Sequence, residues 1–191
     1  LGLPLTRGAA AGGWRFPLPA WTAERARGAA WLDQRGLRGA WALNVGAGWP
    51  SKVWPEERQK DFARTLKKRG APLLLLWGTP AERLVAEAVA RTHGVVAPAT
   101  TLPELGGLLA HLGLVVSGDT GPLHLAHALG VPAIGLFGPV PGTRNGPRGR
   151  GTRILQAPGE AWERKDPAKG RMGEITADAV VAAAEAARAE R

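Results

Sequence analysis

The sequence predicts an α/β fold: a doubly wound, mainly parallel Rossmann-like sheet with helices on both faces. From residue 39 onward, short apolar runs alternate with helical stretches. The runs, such as "APLLLLWG" (71–78) and "LVVSG" (114–118), are continuously apolar rather than alternating, as strands covered on both faces are. The stretches between them carry helix start and stop signals.

Residues 19–36 read as a first helix, with Thr22 as its cap, Gly28 weakening it and Gly36 ending it. "GAWALNVG" (39–46) is a strand. "PEERQKDFARTLKKRG" (55–70) has Pro at its start, acids in its first turn, bases in its last turn and a terminal Gly, all complementing a helix dipole and its ends. A strand (71–78), a helix (80–94) and a short strand (95–98) follow. The helix predicted over 102–113 is weakened by Gly106 and Gly107. Strand 114–118, helix 122–130, strand 132–138 and strand 153–158 complete the pattern, and an Ala-rich helix capped by Thr176 covers 176–190.

At 191 residues and 45% hydrophobic, the chain can bury a core of its own. It has no cysteine, which excludes disulfides and thiolate metal sites. No apolar run reaches the roughly 18 residues of a membrane span. The opening lacks a signal peptide's apolar run and starts with Leu rather than Met, so a longer parent chain is expected. The net charge of +9 favours phosphate-bearing partners, and "GTRNGPRGRGTR" (142–153) concentrates four arginines. Nucleic acid is disfavoured, because no stacking aromatics are interleaved with them.

In such sheets ligands bind where strands lead into helices at the carboxyl edge. The loop "NVGAGWPSKVWP" (44–55) offers Gly46 and Gly48 for close approach, Ser51 as a donor and Lys52 as a point charge, without the spacing of a Walker loop. The turn Gly78-Thr79-Pro80 brings Glu82 into a first helical turn, either as a dipole complement or as a carboxylate for ribose hydroxyls. The turn "SGDTGPLH" sets Asp119, Thr120 and Gly121 at a helix N-terminus suited to anions, with His124 one turn on. Asp119 also reads as a plain cap. His124 and His127 lack a third ligand, so no metal is expected.

"VVSGDTGPLHLAHALGVPAIGLFGP" (115–139) closely resembles the signature of the lipopolysaccharide heptosyltransferase family, glycosyltransferase family nine. "NVGAGWPSKVWPEER", "FGPVPGTRNGPRG" and "MGEITADAVVAA" resemble further landmarks of that family in the right order. The resemblance implies the C-terminal, nucleotide-sugar-binding lobe of a two-lobe enzyme. Residues 1–38 would end a missing N-terminal lobe and hinge, residues 39–158 would form the Rossmann-like domain, and residues 159–191 a tail whose helix crosses to the other lobe. It implies an inverting, metal-independent transfer without cofactor, from a donor such as ADP-heptose to a lipid-linked saccharide that the absent lobe binds with the catalytic base. Lys52, Ser51, Gly48, Asp119, Thr120, Gly121 and His124 would serve the diphosphate and sugar, Glu82 the ribose, and Thr100 or Thr101 the adenine. Cytoplasmic work is implied, peripheral to an anionic inner-membrane surface. Val180 and Val181 would form an apolar patch that wants a partner, so the lone lobe is expected to dimerise. The competing reading is a stand-alone nucleotide-binding module without catalysis. Where some members carry Thr-Thr in the first loop, this chain has Ala47-Gly48, which removes two side-chain donors.

Overall fold

A computed structural model describes residues 18–159 and 161–190, and the backbone of residues 6, 7, 14 and 15. The short strands β1 (Thr6–Arg7) and β2 (Trp14–Arg15) pair antiparallel. Helix α1 (Thr22–Asp33) follows, and then the main sheet: β3 (Trp41–Asn44), β4 (Leu73–Leu76), β5 (Val95–Val96), β6 (Leu114–Gly118), β7 (Ala133–Phe137) and β8 (Thr152–Gln156). All six strands run parallel in the order β5-β4-β3-β6-β7-β8. The order reverses between β3 and β6, so a ligand crevice is expected at their carboxyl ends.

The strands are continuously apolar because alternate residues enter different cores. Leu73 and Leu75 join Phe62, Val89 and Val180 on one face; Leu74 and Leu76 join Leu32, Leu109 and Leu123 on the other. The first face is covered by α2 (Glu56–Lys68), α3 (Pro80–Ala90) and α8 (Ala177–Ala189). The second is covered by α1, α4 (Leu102–Leu109) and α5 (Gly121–Ala128).

Two expectations are corrected here. The glycines that weaken α1 and α4 as helices are what lets them touch. A Cβ on Gly28 would stand 2.6 Å from the Gly107 carbonyl oxygen, and one on Gly107 would stand 2.4 Å from that of Glu24. The patch on the last helix is not open either: Val180 is fully buried and Val181 is 2% exposed, both against this chain's own sheet. Val180 and Val181 therefore offer no open apolar patch for a dimer to cover.

Two short helices, α6 (Gly142–Asn145) and α7 (Pro167–Gly170), and the 3-10 turns Pro50–Lys52 and Met172–Glu174 lie outside the predicted elements. Of these, α7 and the turn Met172–Glu174 belong to the segment after β8, which folds back over the first strand-end loop. Trp54 donates to the Ile175 carbonyl at 2.9 Å and Arg58 to that of Gly173 at 2.8 Å. Among the described residues no helix is long and apolar enough to cross a membrane.

Candidate functional site

At the reversal point the end of β3 meets the end of β6. Asn44, the last residue of β3, aims its amide Nδ2 at the hydroxyls of Ser117 and Thr120, 3.2 Å from each, and at the Gly46 carbonyl at 2.9 Å. Ser117 and Thr120 also bond each other at 2.8 Å. This network locks the β6–α5 turn to the first loop. Thr120 is the N-cap residue of α5, yet its side chain makes no cap bond, and Asp119 makes none either. Among the described residues no side chain caps this helix, whose positive end begins at Thr120 on the cavity wall.

Asp119 turns to a different set of partners. Its Oδ2 accepts from Lys52 Nζ at 2.7 Å and from Asn145 Nδ2 at 3.3 Å, and Oδ1 lies 3.3 Å from His124 Nε2. The His124 ring and then the Lys52 ammonium hold the carboxyl well below the usual carboxylate range, against the opposing effect of burial. Asp119 is therefore an anion, unsuited to neutralising a diphosphate; what it does is hold Lys52 and His124 in place. The pair is shielded, with side chains 12% and 9% exposed, so solvent screens it less than a surface pair. Trp49 lies under Lys52, its ring centre 4.1 Å from Nζ. Burial first, and then the neighbouring His124 ring, lower the pKa of His127.

Beside this cluster lies a cavity of about 310 Å³. Gly46, Gly48 and Asn44 form one wall, Trp77, Gly78 and Glu82 another, and Thr100, Thr101, Leu102 and Leu105 a third; Thr120 closes the side toward Asp119. Glu82 complements the start of its helix and also borders the cavity. Its Oε2 accepts from the Gly78 and Thr79 amides at 2.8 and 3.0 Å, completing a capping box with Thr79, while its side chain lines the cavity. A Cβ on Gly46 would meet Glu82 Oε1 at 1.8 Å, so this glycine is what lets the carboxylate in. Thr101 spends its hydroxyl on Glu104 at 2.7 Å; Thr100 has no such partner among the described residues.

Gly48 and Gly121 border open space, with nothing within 4 Å of a Cβ on either. Ser51 is a correction. It is fully buried and donates to the Glu163 carbonyl at 2.7 Å, tying the returning segment to the loop instead of facing a ligand. The residues missed by sequence reasoning are Asn44, Ser117, Asn145 and Trp77. Asn44 carried a signal, a polar residue closing an apolar strand at the carboxyl edge. Asn145 carried none, because only the folding of the loop after β7 brings it to Asp119.

The sequence profile of glycosyltransferase family 9 (heptosyltransferase) matches residues 18–171. A lipopolysaccharide heptosyltransferase 1 of Pseudomonas aeruginosa is 38% identical over 96 residues, covering 49% of this chain and 27% of that protein. The solved structure of the Escherichia coli heptosyltransferase WaaC with ADP superposes with a TM-score of 0.69 at 27% identity, over 79% of this chain and 45% of that one. A family 9 glycosyltransferase from Veillonella parvula shares the fold, with a TM-score of 0.76 at 22% identity over 94% of this chain and 54% of that one. The chain thus spans about a quarter of the length of that curated relative and under half of the E. coli structure. With the profile matched from residue 18 to 171, the chain belongs to glycosyltransferase family 9, the heptosyltransferases.

Proposed function

We propose that this chain is the donor-binding part of a glycosyltransferase that moves a heptose, or a related sugar, from a nucleotide diphosphate sugar to a lipopolysaccharide-type saccharide acceptor. One observation carries the reading: a cavity and a helix N-terminal turn with Lys52 beside it adjoin at Thr120, at the reversal point of a parallel sheet. The similarity to proteins named lipopolysaccharide heptosyltransferase 1, and to a heptosyltransferase solved with ADP, supports it.

In this reading the base of the nucleotide lies between Trp77, Leu105 and Thr100, and Glu82 meets the ribose. The diphosphate passes Gly48 and Thr120 to the open end of α5 beside Gly121, where Lys52 faces it. His124 stands at the sugar end. In the transfer, the acceptor hydroxyl oxygen attacks the anomeric carbon from the face opposite the diphosphate. The bond from that carbon to the diphosphate oxygen breaks, its electron pair leaves on the diphosphate, and the hydroxyl proton passes to a base. Negative charge grows on the leaving oxygen, so Lys52 and the α5 dipole act most strongly in the transition state. The base and the main acceptor surface are assigned to a facing lobe.

Calorimetric titration with ADP, UDP and their sugars tests the proposal. One-site binding of adenine nucleotides, strengthened by the attached sugar, is expected. Uridine nucleotides binding in their place would overturn the assignment of the base, and no binding by any of them would overturn the function.

A further inference from the structure

Among the described residues, many arginines lie against carboxylates: Arg38 on Asp33, Arg83 on Glu87, Arg171 on Glu174. Others lie on indoles, as Arg35 does on Trp31 at 4.2 Å and Arg83, besides its carboxylate, does over Trp77 at 5.5 Å. Two of the stacked arginines, Arg144 and Arg164, are linked to the Asp119 cluster. Each guanidinium lies on an indole, Arg144 at 4.7 Å from the Trp162 ring centre and Arg164 at 4.4 Å from that of Trp49, and neither has a carboxylate partner among the described residues. Glu163, next to Arg164 in the chain, is occupied: its Oε1 accepts from the Lys165 and Asp166 amides at 2.7 and 3.0 Å. A guanidinium stacked on an indole keeps its in-plane N–H edges free for a planar or tetrahedral oxyanion.

These stacks close a ring around the Asp119 cluster. Lys52 bonds Asp119, Asp119 accepts from Asn145, and Asn145 adjoins Arg144 in the chain. Arg144 covers Trp162, Trp162 leads two residues on to Arg164, Arg164 covers Trp49, and Trp49 lies under Lys52. The returning segment is pinned to build it: the Trp162 amide donates to the Pro139 carbonyl at 2.8 Å and Ser51 to that of Glu163 at 2.7 Å. Trp162 sits at φ 64, a left-handed conformation uncommon for a residue with a β-carbon, and 47% exposed. Burial does not account for a strained, exposed tryptophan; carrying Arg144 does.

None of Lys52, Asp119, Asn145, Arg144, Trp162 and Arg164 lines the cavity of Trp77 and Leu105, whereas Thr120, next to Asp119 in the chain, does. A ligand whose nucleoside fills that cavity reaches the ring only beyond its diphosphate. We propose that Arg144 and Arg164, each stacked on an indole at the rim of the Asp119–Lys52 cluster, form a second anion subsite that takes a phosphate or carboxylate group of the acceptor saccharide. The placement beyond the diphosphate rests on the donor-site reading above; the pairing of the two arginines does not.

The test titrates the full chain with glucose 6-phosphate, and with glucose as the uncharged control, in the presence and absence of saturating ADP. Glucose 6-phosphate is expected to bind the ADP-loaded chain and glucose is not. The double variant Arg144→Ala/Arg164→Ala is expected to lose at least tenfold in glucose 6-phosphate affinity, with ADP affinity unchanged within twofold and the melting temperature kept. Arg144→Lys/Arg164→Lys, which keeps the charge and loses the fork, should fall between. Absence of glucose 6-phosphate binding, or equal binding by the double variant, overturns the subsite. A tenfold loss of ADP affinity in that variant shows the arginines serving the donor and overturns the acceptor assignment. Arginine-dependent glucose 6-phosphate binding by a chain that ignores ADP supports the subsite while sinking the donor reading.

Discussion

Lys52 and Asp119 lie 67 residues apart in the chain and meet at 2.7 Å, each coming from the loop that leaves one of the two central strands. The ion pair holds a cation beside the open end of α5 before any ligand arrives. Lys52→Ala is expected to weaken ADP by about 1.5–3 kcal/mol, roughly ten- to hundredfold, because a charge-assisted hydrogen bond is lost. Adenosine should be nearly unaffected. Equal losses for the two ligands, measured by calorimetry, would show that Lys52 is not at the phosphates.

Asp119 also sets an acid dependence of stability. Its carboxyl is held below its unfolded value, so its stabilising contribution is complete above that value, about 3.9, and is lost as pH falls through the lower folded one. Asp119→Asn should therefore be less stable than the native chain at neutral pH. The gap should hold down to about pH 5 and narrow below pH 4. Thermal melts from pH 7 to pH 3 measure it, and a gap that widened in acid would contradict the assigned direction.

Gly46 and Gly48 share a loop and have opposite tolerances. Gly46→Ala drives a methyl into Glu82 Oε1, so the capping box and the cavity wall are disturbed together. A loss of about 1 kcal/mol in stability and a weaker hold on adenosine are expected. Gly48→Ala meets open space and should change stability little. Denaturant unfolding of the two variants separates them; equal destabilisation would mean that Glu82 is not seated against Gly46.

The same reasoning applies between helices. Alanine normally stabilises a helix over glycine by about 1 kcal/mol. Gly107→Ala is expected to do the reverse, by about 1–3 kcal/mol, because its methyl meets the backbone of α1 rather than a movable side chain. A stabilised variant in urea unfolding would show that α1 and α4 are not packed this closely.

These cases also mark what the sequence made legible. Strand 114–118 was readable to the residue, because a continuous apolar run stopped at Gly118 before a polar turn. Helix ends at Gly36, Gly70 and Gly130 were readable too, and each has a positive φ that residues with a β-carbon avoid. Lys52, Asp119 and Thr120 could be placed at one sheet edge because alternating strands and helices send their loops there. The burial of Ser51 was not legible. It depends on residues 161–175 folding back, and that segment has no periodic pattern; its bonds to the first loop and α2 join residues more than 100 apart in the chain. Gly28 and Gly107 misled for a related reason: helix propensity is local, whereas their use lies in the facing helix.

The central claim, a nucleotide held across Thr120 between the cavity and the Lys52–Asp119 pair, is tested most directly by following backbone amide shifts as ADP is added. The account expects saturable shifts at Gly46, Gly48, Thr100 and residues 120–124, with β8 and α8 unmoved, and loss of the Gly121 and His124 shifts when adenosine replaces ADP. Shifts clustered away from these loops, or an unmoved Thr120–Gly121 turn at saturating ADP, would contradict it.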